Sequence, residues 1–160
     1  MVVVLKEFKN GFFSDKLTLP EELKEATINK NWGQVDATCE GLIVPTGLLF
    51  QYLSPYAGQK RIEFIISIRD SKNEWEEDGI WHDDGSRILA FSMGLNLNPD
   101  SIEGGQLLLR KKGEQEYSSI PPMEFGKIIV FKTGISNYEH MVKAVTKGHR
   151  IVMAGWCYDQ

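Results

Sequence analysis

The stretch Arg61-Ile62-Glu63-Phe64-Ile65-Ile66-Ser67-Ile68-Arg69 places Ile62, Phe64, Ile66 and Ile68 on one side of an extended chain. A period of two is a strand signal, because a helix would scatter these residues around its axis. From this point on, most of the chain has the same character. Ile80 to Asp84 and Arg87 to Leu97 are read as strands, the second ended by the turn Asn98-Pro99-Asp100. Gly105 to Arg110 is a further strand, with a hairpin turn at Lys111-Lys112-Gly113-Glu114. Pro121-Pro122 breaks the chain before the buried strand Lys127 to Phe131. Tyr138 to Trp156 reads as a hairpin turning at Lys147-Gly148.

Upstream the signals are weaker. Met1 to Glu7 has no basic lead and no long apolar stretch, and reads as a first strand rather than a leader. Thr18-Leu19-Pro20-Glu21 resembles a capping box opening a short helix that ends near Ile28. Trp32 to Asp36 is read as a strand, Gly41 to Gly47 as a loop, and Leu48 to Leu53 as strand or helix. One helix and seven or more short strands argue for a mainly β (α+β) jelly roll or barrel. The N-terminal helix would pack on one sheet.

The 160 residues are read as a single domain, 42% apolar and 25% charged, with the core of the site in about residues 61–158. A net charge of −4 without a basic block disfavours nucleic acid as the main partner. No apolar run is long enough to span a bilayer. Cys39 and Cys157 are the two cysteines, which suits reduced core thiols and a cytoplasmic setting.

Against this background the charged and imidazole residues of the strands stand out. His82 and Asp84 are two apart, so an extended backbone turns both side chains to one side, roughly 6–7 Å apart at the α-carbons. A third ligand must come from another strand, and His140 is the candidate. Two imidazoles and one carboxylate can hold iron on one face and leave three positions open. Arg150, Val152, Ala154 and Trp156 share one face of the last strand. A buried arginine there could hold the far carboxylate of a 2-oxo acid, because the planar guanidinium binds carboxylate bidentately. Trp156 would wall the site and Ala154 would leave room. Asp83 points the other way, His149 is a solvated turn residue, and Gly104-Gly105 is a candidate bulge. A salt bridge to Glu139 is the structural alternative for Arg150. Trp75, within Glu74-Trp75-Glu76-Glu77-Asp78, is either an anchoring aromatic or part of a substrate flap whose acids attract a basic peptide.

An isolated His-x-Asp is a weak signal, and the combination with a later His, an Arg ten residues on and a Trp six beyond that is much stronger. Trp81 to Ser86, Gly104 to Leu109, Phe125 to Phe131, and His140 to Arg150 with Trp156 resemble the iron(II)- and 2-oxoglutarate-dependent dioxygenases, prolyl 4-hydroxylase-like branch. Order and spacing agree over about residues 80–157. The resemblance implies a double-stranded β-helix, His82, Asp84 and His140 on iron, and Arg150 on the C5 carboxylate of 2-oxoglutarate. It further implies O2 as oxidant, release of succinate and CO2, and support by ascorbate. Where the family often has Tyr-Leu-Asn, this chain is read as having Asn96-Leu97-Asn98, which would put the Asn96 amide on the cosubstrate. The acid at Asp84 argues against halogenation.

The expected activity is hydroxylation of an unactivated C–H bond, with a prolyl residue in a protein or peptide as the first substrate candidate. A free amino acid or other small metabolite is the alternative within enzymes. A non-catalytic, cupin-like metal-binding domain is the alternative outside them, although it would have no need to bury Arg150. A metal-dependent hydrolase would need a general base beside bound water, and Asp83 is the only nearby candidate.

Overall fold

The computed structural model describes residues 4–72 and 79–160. Its described residues form three layers. Helices α1 (Glu21–Ile28), α2 (Trp32–Ile43) and α3 (Leu48–Ala57) cover one side of a large sheet, and a smaller set of strands faces the other side.

The large sheet is antiparallel, in the order β1 (Phe12–Lys16), β7 (Lys127–Phe131), β3 (Leu89–Gly94), β10 (His149–Tyr158), β2 (Arg61–Asp70). Opposite it lie β6 (Ser118–Ile120), β5 (Leu107–Lys111) and β8 (Tyr138–Val142), and the short pair β4 (Glu103–Gly104) and β9 (Val145–Lys147). Alternation along each strand divides the apolar residues between two cores. Leu89, Phe91, Met93, Ile128, Val130 and Met153 join Leu23, Val35, Leu49 and Leu53 of the helices. Ala90, Ile129 and Phe131 turn inward to meet Leu107, Leu109 and Val142 of the small sheet. This is the expected double-stranded β-helix, with more helix before it.

The helical layer differs most from expectation. Trp32 to Asp36 is not a strand but the start of α2, because Val35, Cys39 and Leu42 recur at helical spacing and are all buried. Asn31 caps that helix by accepting from the Gln34 N–H at 3.3 Å. Leu48 to Leu53 resolves as helix, with Leu49 and Leu53 one turn apart and Gly58 closing α3 in the left-handed region at φ 58°. The capping box does not form: Pro20 takes the cap position, with no side-chain cap bond. Residues 4–7 are not in a strand, and residues 1–3 lie outside the described residues. So do Trp75 and its acidic neighbours at 74–78.

The terminal stretch is not a hairpin either. Both edges of β10 are taken, by β2 and β3, so β8 pairs with β5 in the other sheet. The chain crosses between sheets through β9, which pairs with β4 at a register shift beside Gly104. That glycine, at φ +77°, has the Ala144 carbonyl 2.2 Å from where a Cβ would sit, so the expected bulge admits no side chain. Ile80 to Asp84 holds only one bridge, His82 to His140, rather than a full strand.

Candidate metal centre

His140 sits on β8 opposite Leu109, buried between the sheets. The bridge from β8 to residue 82 carries the second histidine alongside it, with ring centroids 4.4 Å apart. His82 Nδ1 lies 3.0 Å from the Ile80 carbonyl. A carbonyl can only accept, so Nδ1 carries the proton and Nε2 is the ligand-type nitrogen. Asp84 follows two residues later and is buried, its backbone N–H donating to Thr133 Oγ1 at 2.8 Å. One ligand-type atom from each of His82, Asp84 and His140 lies within 4.8 Å of the other two.

The chemistry of this cluster fits a divalent cation. Asp84 Oδ2 is buried without a hydrogen-bond partner among the described residues, 3.6 Å from His140 Nε2. Burial pushes the Asp84 carboxyl above its usual range, while a hydrogen bond from Trp156 and the charges of His82 and Arg87 pull the other way. A bound dication would reverse the net effect.

Asp83 is outside the ligand-type cluster, although it also lines the cavity. It is ion-paired with Lys112 and accepts from the Gly85 N–H at 2.8 Å. The Lys112 ammonium, and then that N–H, hold its carboxyl below the usual range.

The cluster opens into a cavity of about 390 Å³ between the sheets, lined also by Arg150, Ala154 and Trp156. Arg150 is buried, and Glu139, its expected structural alternative, is held instead by Arg110 at 2.7 Å. Asn96 is a correction. Its amide donates to the Met123 carbonyl at 2.7 Å and accepts from the Ile151 N–H at 2.8 Å. It brackets the backbone and lines a different cavity on the helix side, so it does not reach the cosubstrate position expected for it. His149 is exposed as expected, but it opens β10 rather than sitting in a turn, opposite Asp70, whose carboxylate lies at 3.7 Å.

Four residues that matter here were not singled out from the sequence. Thr133 anchors Asp84. Arg87 reaches the Tyr158 hydroxyl at 2.7 Å and stacks over Trp156 at 4.9 Å from the ring centre, fixing the wall beside Asp84. Ser67 and Arg69 line the cavity from β2, on the face opposite the apolar one that marks the strand. The sequence carries little signal for them, because that face of β2 mixes charged and uncharged residues (Arg61, Glu63, Ile65, Ser67, Arg69).

A jelly roll carrying two histidines and one carboxylate beside a cavity with a buried arginine defines the non-haem iron oxygenase class of site. A sequence model of the 2OG-Fe(II) oxygenase superfamily matches residues 69–158, and the chain belongs to that superfamily, whose members use iron(II), 2-oxoglutarate and O2. A PKHD-type hydroxylase of Prochlorococcus marinus is 29% identical over 118 residues, covering 72% of this chain and 50% of that protein. The chain thus spans about half the length of the curated relatives it matches. Among solved structures, a Pseudomonas putida prolyl-4-hydroxylase superposes with a TM-score of 0.60 at 19% identity, covering 95% of this chain and 90% of that one. A Trichoplax adhaerens prolyl hydroxylase, solved with a hypoxia inducible factor peptide fragment, gives 0.57 at 17% identity, covering 94% and 84%. At these identities the two structures establish the fold. No helix of the described residues is long and apolar enough to cross a membrane.

Proposed function

We propose that the chain is an iron(II)- and 2-oxoglutarate-dependent dioxygenase that hydroxylates an unactivated C–H bond, with a prolyl residue of a protein or peptide as the substrate. The observation that carries this reading is the meeting of two parts in one cavity: the His82, Asp84 and His140 cluster and the buried Arg150. His82 Nε2, one Asp84 oxygen and a His140 nitrogen would hold the ion. Arg150 would take the distal carboxylate of the cosubstrate, and Ala154 would leave space between them. Iron supplies the oxygen activation when bound, with succinate and CO2 as co-products and ascorbate sustaining turnover. Trp156, fixed by Arg87, walls the site beside Asp84 and shields it from water.

The peptide assignment draws support from the prolyl hydroxylase neighbour solved with a peptide, and the hydroxylase reading from curated relatives named as hydroxylases of the PKHD type. A free amino acid or small metabolite remains the second substrate class. Two buried, unpaired thiols suit the reducing cytoplasm.

The test is anaerobic addition of iron(II) and 2-oxoglutarate, followed by O2 and candidate peptides. A visible charge-transfer band, then succinate and a gain of 16 mass units on a peptide, is the expected result. Bound metal with no band would favour a non-catalytic metal-binding domain. Succinate without peptide oxidation would move the substrate to the small-molecule class.

A further inference from the structure

Arg69 and Arg150 are direct cross-strand partners of β2 and β10. Directly opposed residues hold their Cβ atoms about 4.5–5.5 Å apart on one face. Both arginines are buried, at 8% and 4% exposure, and both line the cavity that holds the metal cluster. The strand registers give their depth. Going along β10 from the metal end, Trp156 stands opposite Ala90, Ala154 opposite Ser92, and Val152 opposite Ser67 and Gly94. Arg150 and Arg69 form the next layer. Ser67, one layer nearer the metal than Arg69 and on the same face, is 2% exposed, and its hydroxyl has no hydrogen-bond partner among the described residues.

Gly105 leaves room for Arg150 in this layer. A Cβ on Gly105, which adopts φ +71°, would lie 3.0 Å from Arg150 Cδ and 3.1 Å from Val145. The stem of Arg150 therefore runs through a slot that only glycine leaves open. Its guanidinium and that of Arg69 together offer two planar forks to the same end of the cavity. A carboxylate has about four acceptor sites, more than one fork can fill.

From this arrangement we propose that Arg69 and Ser67 form the second half of the distal-carboxylate pocket, so that the cosubstrate's tail is gripped from β2 as well as from β10. The proposal rests on the 2-oxoglutarate reading above and deepens it. Arg150 supplies one fork, Arg69 the other, and the Ser67 hydroxyl donates from the metal side. Two guanidiniums at one end favour a dicarboxylic keto acid, because each can bind the distal carboxylate that a monocarboxylic one lacks.

The experiment uses the iron(II)-loaded full chain under anaerobic conditions. 2-Oxoglutarate and 2-oxovalerate, which has the same five carbons but no distal carboxylate, are titrated while the visible band is read. The wild type should strongly prefer 2-oxoglutarate. Arg69→Gln should weaken 2-oxoglutarate roughly ten- to hundredfold, with little change for 2-oxovalerate and in iron content. Arg69→Lys should recover part of the loss, and Ser67→Ala should show a smaller loss in the same direction. Equal weakening of both keto acids by Arg69→Gln, or no weakening of either, would overturn the proposal, since a packing role does not distinguish their tails. A wild type that holds iron yet gives no band with 2-oxoglutarate would instead overturn the parent reading, and this one with it.

Discussion

His82 and His140 are joined through their backbones: the His82 N–H donates to the His140 carbonyl at 2.9 Å, and the His140 N–H returns to the His82 carbonyl at 2.8 Å. Two ligand-type side chains from distant parts of the sequence are thereby placed by main-chain geometry, independent of their imidazoles. Replacing one ring should accordingly empty the site without dismantling it. For His140→Ala we expect iron content near background and no 2-oxoglutarate turnover, with a far-ultraviolet circular dichroism spectrum like that of the wild type. Retention of stoichiometric iron would exclude His140 as a ligand.

Arg150 should behave differently. It lies in the same cavity but outside the ligand cluster, so Arg150→Ala should leave iron loading intact and raise the 2-oxoglutarate requirement. Loss of a buried, charge-assisted pair costs about 3 kcal/mol or more, which corresponds to over 100-fold in cosubstrate affinity. Metal analysis and a 2-oxoglutarate titration on the same preparation separate the two roles, and parallel loss of iron in both variants would merge them.

Thr133 supports Asp84, the proposed carboxylate ligand, from behind. It is fully buried, and its hydroxyl accepts the Asp84 N–H. Thr133→Val keeps the shape and removes the acceptor, leaving a buried donor unmade at a cost of about 1–3 kcal/mol. We expect a lower denaturant midpoint and an iron affinity reduced roughly ten- to hundredfold, as for other outer partners of metal ligands. Unchanged iron affinity would restrict Thr133 to stability alone.

Cys39 and Cys157 are both buried, and burial pushes each thiol up to about 12, helped at Cys39 by Asp36 and Glu40. Thiolate is the reactive form, so neither residue should be alkylated by iodoacetamide at pH 8 in the native protein, and both should react after denaturation. The same shift has a sign for stability. The folded chain keeps these protons above the ordinary thiol range while the unfolded chain releases them. Their contribution is therefore intact below about pH 9 and declines as the pH rises towards 12. Rapid native labelling at pH 8 would contradict the burial.

Asn96 provides a check on how the sequence reads against the fold. Its two buried bonds hold the end of β3 to the Met123 carbonyl and the Ile151 N–H. Asn96→Ala should lower the unfolding midpoint by an amount equivalent to about 1–3 kcal/mol while leaving the cosubstrate KM of the folded fraction unaltered. A raised KM at unchanged stability would restore it to the cosubstrate.

The site was more legible in the sequence than the surrounding fold, and particular residues explain why. His82 and Asp84 depend only on alternation within three residues, and His140 and Arg150 on chemical type within buried strands. Their placement needed no knowledge of which strand pairs with which. The hairpin expected for Tyr138 to Trp156 did need it, and a period of two says nothing about partners. The helix at Trp32–Ile43 was missed because a five-residue window cannot show that Val35, Cys39 and Leu42 share one helical face. Arg69 was missed for a related reason: β2 advertises its helix-side isoleucines, and the opposite face, which floors the cavity, looks like a solvated one until β10 is laid beside it.

The crossing of the chain through β9 has a consequence for assembly. Since β8 and β10 belong to opposite sheets, no local turn can gather the proposed iron ligands and the arginines into one place. A chain caught part-way through folding, with either sheet formed alone, possesses every necessary side chain and yet has no chamber for an ion or a keto acid. Tight iron uptake should thus report that the whole sandwich has closed.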